Sequence, residues 1–323
     1  MESVGKIAFA FPGQGSQKVG MGRELAENHP VVSNTFEQAD QVLGFPLSRL
    51  CWEGPQSDLE LTTNTQPALV ACSIATVRLL SAEGIYPDLV LGHSLGEYSA
   101  LVAAGALELP DALRLVRARG RYMQEAVPVG QGLMAALVGL KKAEVETVCS
   151  EARLAGEVLS PANFNASGQI VVAGHSASVK RAIEVARAHG ARRAIRLPVS
   201  APFHCALMKP AEERLMPDLE KVEFKDLRVP LITNVNAEVI SRGDEARDAL
   251  RMQVTSPVRW DESVSSLRAE GVGLVVEVGP GKVLSGLIRR IDETLSVHSV
   301  EDECGISRLQ EHLRTPHQGQ RGT

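Results

Sequence analysis

Residues 88–97 read Asp-Leu-Val-Leu-Gly-His-Ser-Leu-Gly-Glu, a stretch that holds the pattern G-x-S-x-G with its serine at position 94. The apolar residues before the pattern predict a short buried strand at 88–91, and those after it favour a helix over 97–106. A serine on a tight turn between a strand and a helix is typical of a nucleophile elbow. A glycine-rich turn without a catalytic role is the alternative, but the flanking strand and helix favour Ser94 as a nucleophile.

The glycines allow the close backbone crossing of the elbow, and the helix supplies hydrogen-bond donors beside the serine. Gly92 and Gly96 remove the Cβ atoms where strand and helix cross, so the turn can hold the serine hydroxyl clear of the backbone. The helix begins with free backbone N–H groups, and the N–H of Leu95 is placed to face an oxyanion. In elbow enzymes a loop after a neighbouring strand supplies a second such N–H. The loop at 12–17, after a strand predicted at 6–11, places Gln14 for that role.

Composition and motif spacing exclude several other classes of protein. The glycines at 13, 15 and 20 break the dinucleotide pattern G-x-G-x-x-G, and a net charge of −5 over 323 residues disfavours general nucleic-acid binding. The five cysteines show no paired spacing, so we expect free thiols in a reducing cytosol and no metal site. We find neither a signal-peptide pattern nor a stretch approaching the ~18 apolar residues of a membrane helix. We therefore expect a cytoplasmic protein with no membrane contact.

The pattern of strands and helices predicts two domains. Residues 129–198 give the order β-α-β-β-α-β, which is typical of a small ferredoxin-like domain. Alternating strands and helices on both sides predict a large α/β-hydrolase-like domain with a parallel sheet, formed by 1–128 and 199–314. The polar composition of 315–323 predicts a disordered tail. Because a domain inserted into another leaves a cleft between them, we expect the site there.

A nucleophilic serine needs a base, and His204 is the best placed of the eight histidines. It lies in the segment 198–205, which two prolines rigidify, at the point where the chain returns from the small domain to the large one. His93 adjoins the serine on a sharp turn and should point elsewhere, and the remaining histidines fall near predicted helix ends, loops or polar segments. From the residues alone, a catalytic and a structural role of His204 are equally open.

Arg119 has an unusual place on the helix predicted over 110–126. At about 100° per residue, the other three arginines of that helix share the side opposite the apolar residues, as solvated side chains should. Arg119 alone falls inside the apolar arc. A buried arginine requires an anion, because burial of an unpaired charge is costly. A structural salt bridge is one interpretation, and a substrate carboxylate held by two parallel hydrogen bonds is the other.

Eight sequence blocks resemble the malonyl-CoA:acyl carrier protein transacylase family, in that family's order and up to about residue 290. The blocks are Phe11-Pro-Gly-Gln-Gly-Ser-Gln17, Thr65-Gln-Pro-Ala68, Gly92-His-Ser-Leu-Gly-Glu-Tyr98, Arg119-Gly120, Asn163-Phe-Asn165, Pro202-Phe-His204, Gln253 with Pro257-Val-Arg-Trp260, and Glu277-Val-Gly-Pro-Gly281. The resemblance implies a transferase of fatty acid biosynthesis that acts through a malonyl-serine ester. Eight blocks in register are far more specific than any one of them.

The resemblance also implies a role for each site residue. Ser94 would be the nucleophile, His204 the base and Arg119 the partner of the malonyl carboxylate. The backbone N–H groups of Gln14 and Leu95 would form the oxyanion hole. The remaining implied site residues are Gln253, whose backbone carbonyl would orient the histidine, and the substrate-pocket residues Asn163 and Phe203. In related modular acyltransferases the position of Phe203 goes with malonyl rather than branched extender units.

The family resemblance implies malonyl-CoA and an acyl carrier protein as partners. No bound cofactor or metal is implied, since CoA is part of the substrate and the partner carries the phosphopantetheine; we expect a monomer. Acyl carrier proteins are strongly acidic, so docking needs local positive charge near the cleft. Arg192-Arg193 and Arg289-Arg290, here called the basic pairs, are candidates. Solvated ends of a strand and a helix are an equally favoured interpretation of these pairs.

Three alternatives to a transferase of fatty acid synthesis are open at this point. A serine hydrolase or thioesterase shares the elbow, although nothing obliges it to bury an arginine near the serine. A discrete acyltransferase that serves a polyketide synthase shares every motif. A non-catalytic module that binds carrier protein is the third, and the presence of Ser94, His204 and Arg119 argues against it.

Overall fold

The computed structural model describes residues 5–199 and 201–314, and two β-sheets organise them. In chain order the strands are β1 (Lys6–Phe11), β2 (Leu89–Gly92), β3 (Gly132–Val138), β4 (Leu159–Ala166), β5 (Gln169–His175), β6 (Arg193–Arg196), β7 (Leu231–Ile232), β8 (Val239–Ile240), β9 (Val272–Val278) and β10 (Ser296–Val300). The helices are α1 (Arg23–Asn28), α2 (Pro30–Leu43), α3 (Leu47–Glu53), α4 (Gln56–Leu59), α5 (Thr62–Ala82), α6 (Gly96–Ala103), α7 (Leu109–Glu125), α8 (Lys142–Ala152), α9 (Ser176–Ala188), α10 (Lys209–Glu220), α11 (Gly243–Gln253), α12 (Trp260–Ser265), α13 (Val283–Ile291) and α14 (Glu303–Arg314), with a 3-10 turn at Ala206–Met208.

The large sheet brings the elbow and two other segments to one edge. Its strands follow the order β10-β9-β1-β2-β7-β8, and all its pairings are parallel except β7 with β8. Residues 8–11 of β1 are fully buried, as expected for a central parallel strand that is covered on both faces. Because the carboxyl ends of parallel strands share an edge, the loop after β1, the turn after β2 and the segment after β7 meet there.

The small sheet is antiparallel, with the order β4-β5-β3-β6. Successive residues of a strand point to opposite faces, and β3 uses both. Leu133 and Leu137 lie in a hydrophobic cluster with side chains of α8 and α9, whereas Met134 lies in the cluster of the large domain. The predicted fold class, a large domain with a parallel sheet and a ferredoxin-like β-α-β-β-α-β insert, is confirmed. The residue bounds of the two domains stay a prediction.

The structure differs from the predicted elements in several details. The helix after the elbow ends at Ala103 rather than 106, because Gly105 adopts a left-handed φ of 77°. The hairpin of the small sheet is tight, since β4 continues to Ala166 and β5 begins at Gln169. Strand β10 and helix α14 were not predicted at all, and the tail at 315–323 lies outside the described residues. No helix among the described residues is long and apolar enough to cross a membrane.

Candidate active site

The elbow is a close crossing of three backbone segments. Ser94 lies between β2 and α6 with a left-handed φ of 52°. A Cβ on Gly92 would lie 2.0 Å from the carbonyl carbon of Gly96, and one on Gly96 would lie 2.0 Å from the carbonyl oxygen of Phe11. No residue larger than glycine fits either position without displacing backbone. The predicted reason for both glycines therefore holds, and the end of β1 takes part in the crossing.

Asn234, two residues after β7, holds the elbow from the side. Its Oδ1 accepts the Ser94 backbone N–H at 2.6 Å, and its Nδ2 donates to the Gly92 carbonyl at 2.6 Å. Sequence reasoning missed this residue. The only signal was positional, since β7 lies next to β2 and a residue that follows it is brought beside the elbow. That neighbourhood depends on strand order, which the sequence pattern did not specify.

His204 meets the serine across 110 residues of chain. The distance from Ser94 Oγ to His204 Nε2 is 2.7 Å, and His204 Nδ1 lies 2.9 Å from the backbone carbonyl oxygen of Gln253. The carbonyl can only accept, so Nδ1 carries the proton and Nε2 is free to accept from the serine hydroxyl. The histidine is therefore oriented by a backbone carbonyl, at the position that the resemblance implies for Gln253.

The surroundings of His204 keep its imidazole neutral. The side chain is buried, and burial is the main cause that lowers the pKa of His204 to about 3. The Arg119 charge lowers this pKa further, while the hydrogen bond to Gln253 opposes the shift. A neutral imidazole whose Nε2 faces a hydroxyl is the form of histidine that acts as a general base.

Arg119 is buried behind the serine and contacts neutral groups. Its Nη1 donates to Gln66 Oε1 at 3.0 Å, and its Nη2 donates to Gln253 Oε1 at 2.8 Å and to Ser94 Oγ at 3.2 Å. Its Nε has no acceptor within residues 5–199 and 201–314. Burial lowers the pKa of Arg119, and Glu97 raises it in part. The guanidinium thus lies beside the nucleophile with neutral acceptors and can bind an anion there.

Glu97 is, like Arg119, a buried ionisable residue near the serine, but sequence reasoning did not identify it. It follows the second glycine of the elbow and is fully buried. Its Oε2 accepts from Gln253 Nε2 at 2.8 Å and from the Asn234 backbone N–H at 3.1 Å. Burial raises the pKa of Glu97 to about 7. In the sequence this residue looks like an ordinary acid in the first turn of a helix, which conceals its contacts.

A pocket opens at Ser94 between two unlike groups of side chains. The polar wall consists of Gln14, Gln66, Ser94, Arg119 and His204. The apolar wall consists of Met134, Leu197, Val199 and Phe203, which come from β3 and from the chain that follows β6. His93, Leu95, Met123 and Asn163 complete the lining. The pocket can therefore hold an acyl group that carries a charged end.

The two predicted oxyanion donors both line this pocket. Neither the Gln14 nor the Leu95 backbone N–H donates a hydrogen bond to any residue that the structure describes. The Gln14 side chain is held separately, because its Nε2 donates to Thr62 Oγ1 at 3.2 Å. Two free N–H groups beside a nucleophile have the chemistry of an oxyanion hole.

The other polar groups near the serine lack the properties of a nucleophile or base. His93 lies with Nε2 at 2.8 Å from Asn165 Oδ1, so it links the elbow to the small sheet. Cys205 donates from Sγ to the Pro202 carbonyl at 3.1 Å, and burial raises the pKa of this thiol to about 11. Among the described residues, no group of three or more His, Cys, Asp or Glu side chains is arranged to hold a metal ion.

The basic pairs lie away from the pocket. Arg192 packs against Gly139 at the far end of β3, and Arg290 donates to Gln169 Oε1 at 2.6 Å near the same end of the small sheet. Arg289 donates to the Val297 carbonyl at 2.6 Å and is therefore engaged with β10. The structure brings Arg192 and Arg290 toward one hairpin end. Their role in docking stays a prediction.

Comparison with known proteins gives consistent results over nearly the whole chain. A family model described as "Acyl transferase domain" matches residues 8–318. The malonyl CoA-acyl carrier protein transacylase of Escherichia coli strain K12 is 48% identical over 303 residues, which cover 94% of this chain and 98% of that protein. The protein of that name from Bacillus subtilis strain 168 is 47% identical over 312 residues, which cover 95% of this chain and 98% of that protein.

Solved structures agree with the sequence relatives. An acyl carrier protein S-malonyltransferase from Vibrio cholerae superposes with a TM-score of 0.92 at 46% identity and covers 94% of this chain and 99% of that chain. A malonyl-transacylase solved in complex with a type II polyketide synthase acyl carrier protein superposes with a TM-score of 0.93 at 45% identity, covering 95% and 99%. The similarity therefore extends over both sheets.

Proposed function

The chain belongs to the acyl transferase domain family, and on that premise we propose that it moves the malonyl group from malonyl-CoA to the phosphopantetheine thiol of an acyl carrier protein. One observation carries the proposal. The Ser94 hydroxyl contacts a neutral His204 on one side and the buried Arg119 on the other. A nucleophile beside a desolvated cation with neutral acceptors suits an acyl group that ends in a carboxylate.

In the first half-reaction the malonyl carboxylate pairs with Arg119, which sets the thioester carbonyl at Ser94. His204 Nε2 takes the hydroxyl proton while Ser94 Oγ attacks the carbonyl carbon. The tetrahedral oxyanion accepts hydrogen bonds from the N–H groups of Gln14 and Leu95, and loss of one such donor typically costs ~10²–10³ in rate. The carbon–sulfur bond then breaks, His204 returns the proton to the departing CoA sulfur, and a malonyl-serine ester remains.

The second half-reaction reverses these steps with a different thiol. The phosphopantetheine thiol gives its proton to His204 and attacks the ester carbonyl. The Ser94–acyl bond breaks, and the proton passes to the serine oxygen. Because the first product leaves before the second substrate reacts, the kinetics should be ping-pong. We propose that the reaction needs no bound cofactor or metal, since the acyl donor is already activated as a thioester.

We also propose a cytoplasmic location. All five cysteines are free, and four of them are buried, which suits a reducing compartment.

The test of the proposal is intact-mass measurement after exposure to malonyl-CoA alone. A transferase should accumulate one malonyl adduct on Ser94 and lose it when holo acyl carrier protein is added. Continuous release of CoA without an adduct would instead identify a thioesterase or hydrolase. A polyketide acyltransferase is the second candidate, and the solved complex of a relative with such a carrier favours including it. Transfer rates to fatty acid and polyketide carriers distinguish these two.

A further inference from the structure

The three reacting groups of the proposed mechanism share one neighbour, Gln253. Its backbone carbonyl accepts from His204 Nδ1 at 2.9 Å, and its side-chain Oε1 accepts from Arg119 Nη2 at 2.8 Å. Its Nε2 donates to the backbone carbonyl of Ser94 at 2.9 Å. A rotation or flip of the side-chain amide would therefore disturb the carboxylate partner and the nucleophile together, while the backbone of the same residue holds the base.

Glu97 determines which way that amide faces. Its Oε2 accepts from Gln253 Nε2 at 2.8 Å. The same oxygen accepts the Asn234 backbone N–H, so it serves as an acceptor, the amide NH₂ must point toward it, and the amide oxygen is left for Arg119. The opposite orientation would place two acceptors, and two sets of donors, against each other. The direction of the Gln253 side chain thus follows from the carboxylate.

Glu97 Oε2 also binds Asn234, the residue whose side chain is hydrogen-bonded to the backbone of the elbow. Glu97 Oε2 accepts the Asn234 backbone N–H at 3.1 Å, and the Asn234 side chain binds the backbone of Ser94 and Gly92. Glu97 lies in the first turn of α6 and so moves with the elbow helix. It connects the segment after β7 and the last residue of α11 to the helix that follows the nucleophile.

The cost of this arrangement argues for a role in the reaction. Glu97 is fully buried, its Oε1 has no partner among the described residues, and its pKa is raised to about 7 by burial. An acid that only complements the start of a helix does so at lower cost on the surface. Burial with one unpartnered oxygen therefore requires a further explanation.

We infer that Glu97 is a positioning residue for acyl transfer, whose carboxylate fixes the Gln253 side chain and Asn234 and through them Arg119 and Ser94. The inference rests on the proposed function. Among the described residues no hydrogen bond joins Glu97 to a reacting atom, and it acts through two intermediaries, Gln253 and Asn234. Its removal should slow serine acylation, and it should slow malonyl transfer more than acetyl transfer because Arg119 loses its orientation.

The chain offers a matched control in Glu277. This second glutamate is also fully buried, also lies in the large domain and also accepts two hydrogen bonds, from the backbone N–H groups of Leu284 and Ser285. Those two groups begin α13, and Glu277 does not line the pocket. A loss that reflects only a buried carboxylate should appear equally in variants of Glu277.

The experiment measures single-turnover acylation by malonyl-CoA and by acetyl-CoA, corrected for the folded fraction. Glu97→Gln should slow malonylation about tenfold and Glu97→Ala about 10²-fold, the scale of loss when reacting groups are displaced by about 1 Å. Acetylation should fall less in both. Glu277→Gln should leave both rates within about twofold while lowering the melting temperature.

A double-mutant cycle tests the route through Gln253. If Glu97 acts mainly through that amide, Glu97→Gln should add little to the loss already caused by Gln253→Ala. Full additivity, or wild-type rates in the Glu97 variants, overturns the inference. Should Glu97→Ala fail to fold, the size-conserving Glu97→Gln and its cycle decide the matter. A wild-type chain that forms no malonyl adduct overturns the proposed function itself, whereas an active wild type with unaltered Glu97 variants overturns only this inference.

Discussion

The polar and apolar walls of the pocket are built in different ways. Each charged or catalytic side chain of the polar wall is fixed by directed hydrogen bonds, and Arg119 alone makes three. The side chains of the apolar wall are apolar and are held by packing, and its members come from β3 and from the returning chain after β6. Hydrogen bonds specify direction, whereas packing specifies volume. We therefore expect the polar wall to set the chemistry and the apolar wall to set the size of the acyl group.

Removal of the nucleophile should have the largest effect. Ser94→Ala should abolish the malonyl adduct, because the hydroxyl oxygen is the atom to which the acyl group is joined. Intact-mass spectrometry after malonyl-CoA exposure measures this, and circular dichroism checks the fold. An adduct that persists on Cys205 would break the division between the walls, since it would place the chemistry on a thiol whose pKa of about 11 keeps it protonated.

Loss of the Arg119 guanidinium should slow malonyl transfer much more than acetyl transfer. Arg119→Ala leaves a malonyl carboxylate unpaired in a desolvated pocket, a penalty of about 3–5 kcal/mol for a broken buried pair and so at least ~10²-fold in rate. Acetyl transfer should be spared or raised, because acetyl carries no charge. The measurement is the ratio of the two single-turnover rates. Equal losses for both acyl groups would assign Arg119 to structure alone.

The pH dependence of the acylation rate tests whether His204 acts as a neutral base. A base must be unprotonated to act, so its rate contribution falls when pH drops below its pKa. With the pKa of His204 at about 3, acylation should show no acid limb from this residue between about pH 5 and pH 8. A limb centred near the ordinary histidine pKa of about 6.5 would contradict this.

If the pH profile of the acylation rate shows an inflection, variants identify the residue that causes it. One near pH 7 that disappears in Glu97→Gln belongs to Glu97, whose pKa lies at about 7. Arg119→Ala removes a positive charge that lowers the pKa of His204, so it should move any histidine limb toward higher pH. His93 lowers that pKa as well and stays unchanged in both variants.

A substitution on the apolar wall should alter the choice of acyl substrate while changing the rate of serine acylation by malonyl-CoA little. Phe203→Ala enlarges the pocket and should raise the rate with methylmalonyl-CoA relative to malonyl-CoA about tenfold, since one methyl group in an apolar pocket is worth about 1–3 kcal/mol. Competition between the two substrates, read by adduct mass, gives the ratio. If the malonyl rate itself collapses, Phe203 supports His204 and the two walls are not separable.

Carrier docking should give the smallest effect. Reversal of Arg192 and Arg193 to Glu should raise the KM for acyl carrier protein a few-fold at low salt, with acylation by malonyl-CoA unchanged. The equivalent reversal of Arg289 and Arg290 is a less clean test, because Arg289 also holds the Val297 carbonyl. A carrier KM that does not respond at low ionic strength would place the docking surface elsewhere.

The sequence predicted those parts of the site that depend on local pattern. Ser94 and its glycines form one short motif, and the burial of Arg119 follows from the periodicity of a single helix. His204 stayed undecided from the residues alone, because its role depends on a contact across 110 positions. Eight motifs in family order, rather than physical reasoning on the segment, pointed to its catalytic role.

The site residues and the strand that sequence reasoning missed depend on neighbours that are brought together only in the folded chain. Asn234 and Gln66 approach the site only through strand order and helix packing, and Glu97 resembles any acid at a helix start. In the fold, β10 was missed because its sequence Ser-Val-His-Ser-Val is short and three of its five residues are polar. It forms a strand because β9 offers it a parallel partner, which is a property of the sheet rather than of the segment.

The neighbouring positions of β3 and β6 have a consequence for how such a protein can diversify. The Leu197 N–H donates to the Met134 carbonyl at 2.9 Å, and a Cβ on Gly132 would lie 2.4 Å from the Pro202 ring. The chain thus enters and leaves the small sheet at one place, the geometry that favours exchange of a whole segment. Recombination that replaces residues 132–199 would bring in three members of the apolar wall at once and leave Ser94 on its elbow. Acyl preference can then be inherited as a cassette, independently of the ancestry of the nucleophile.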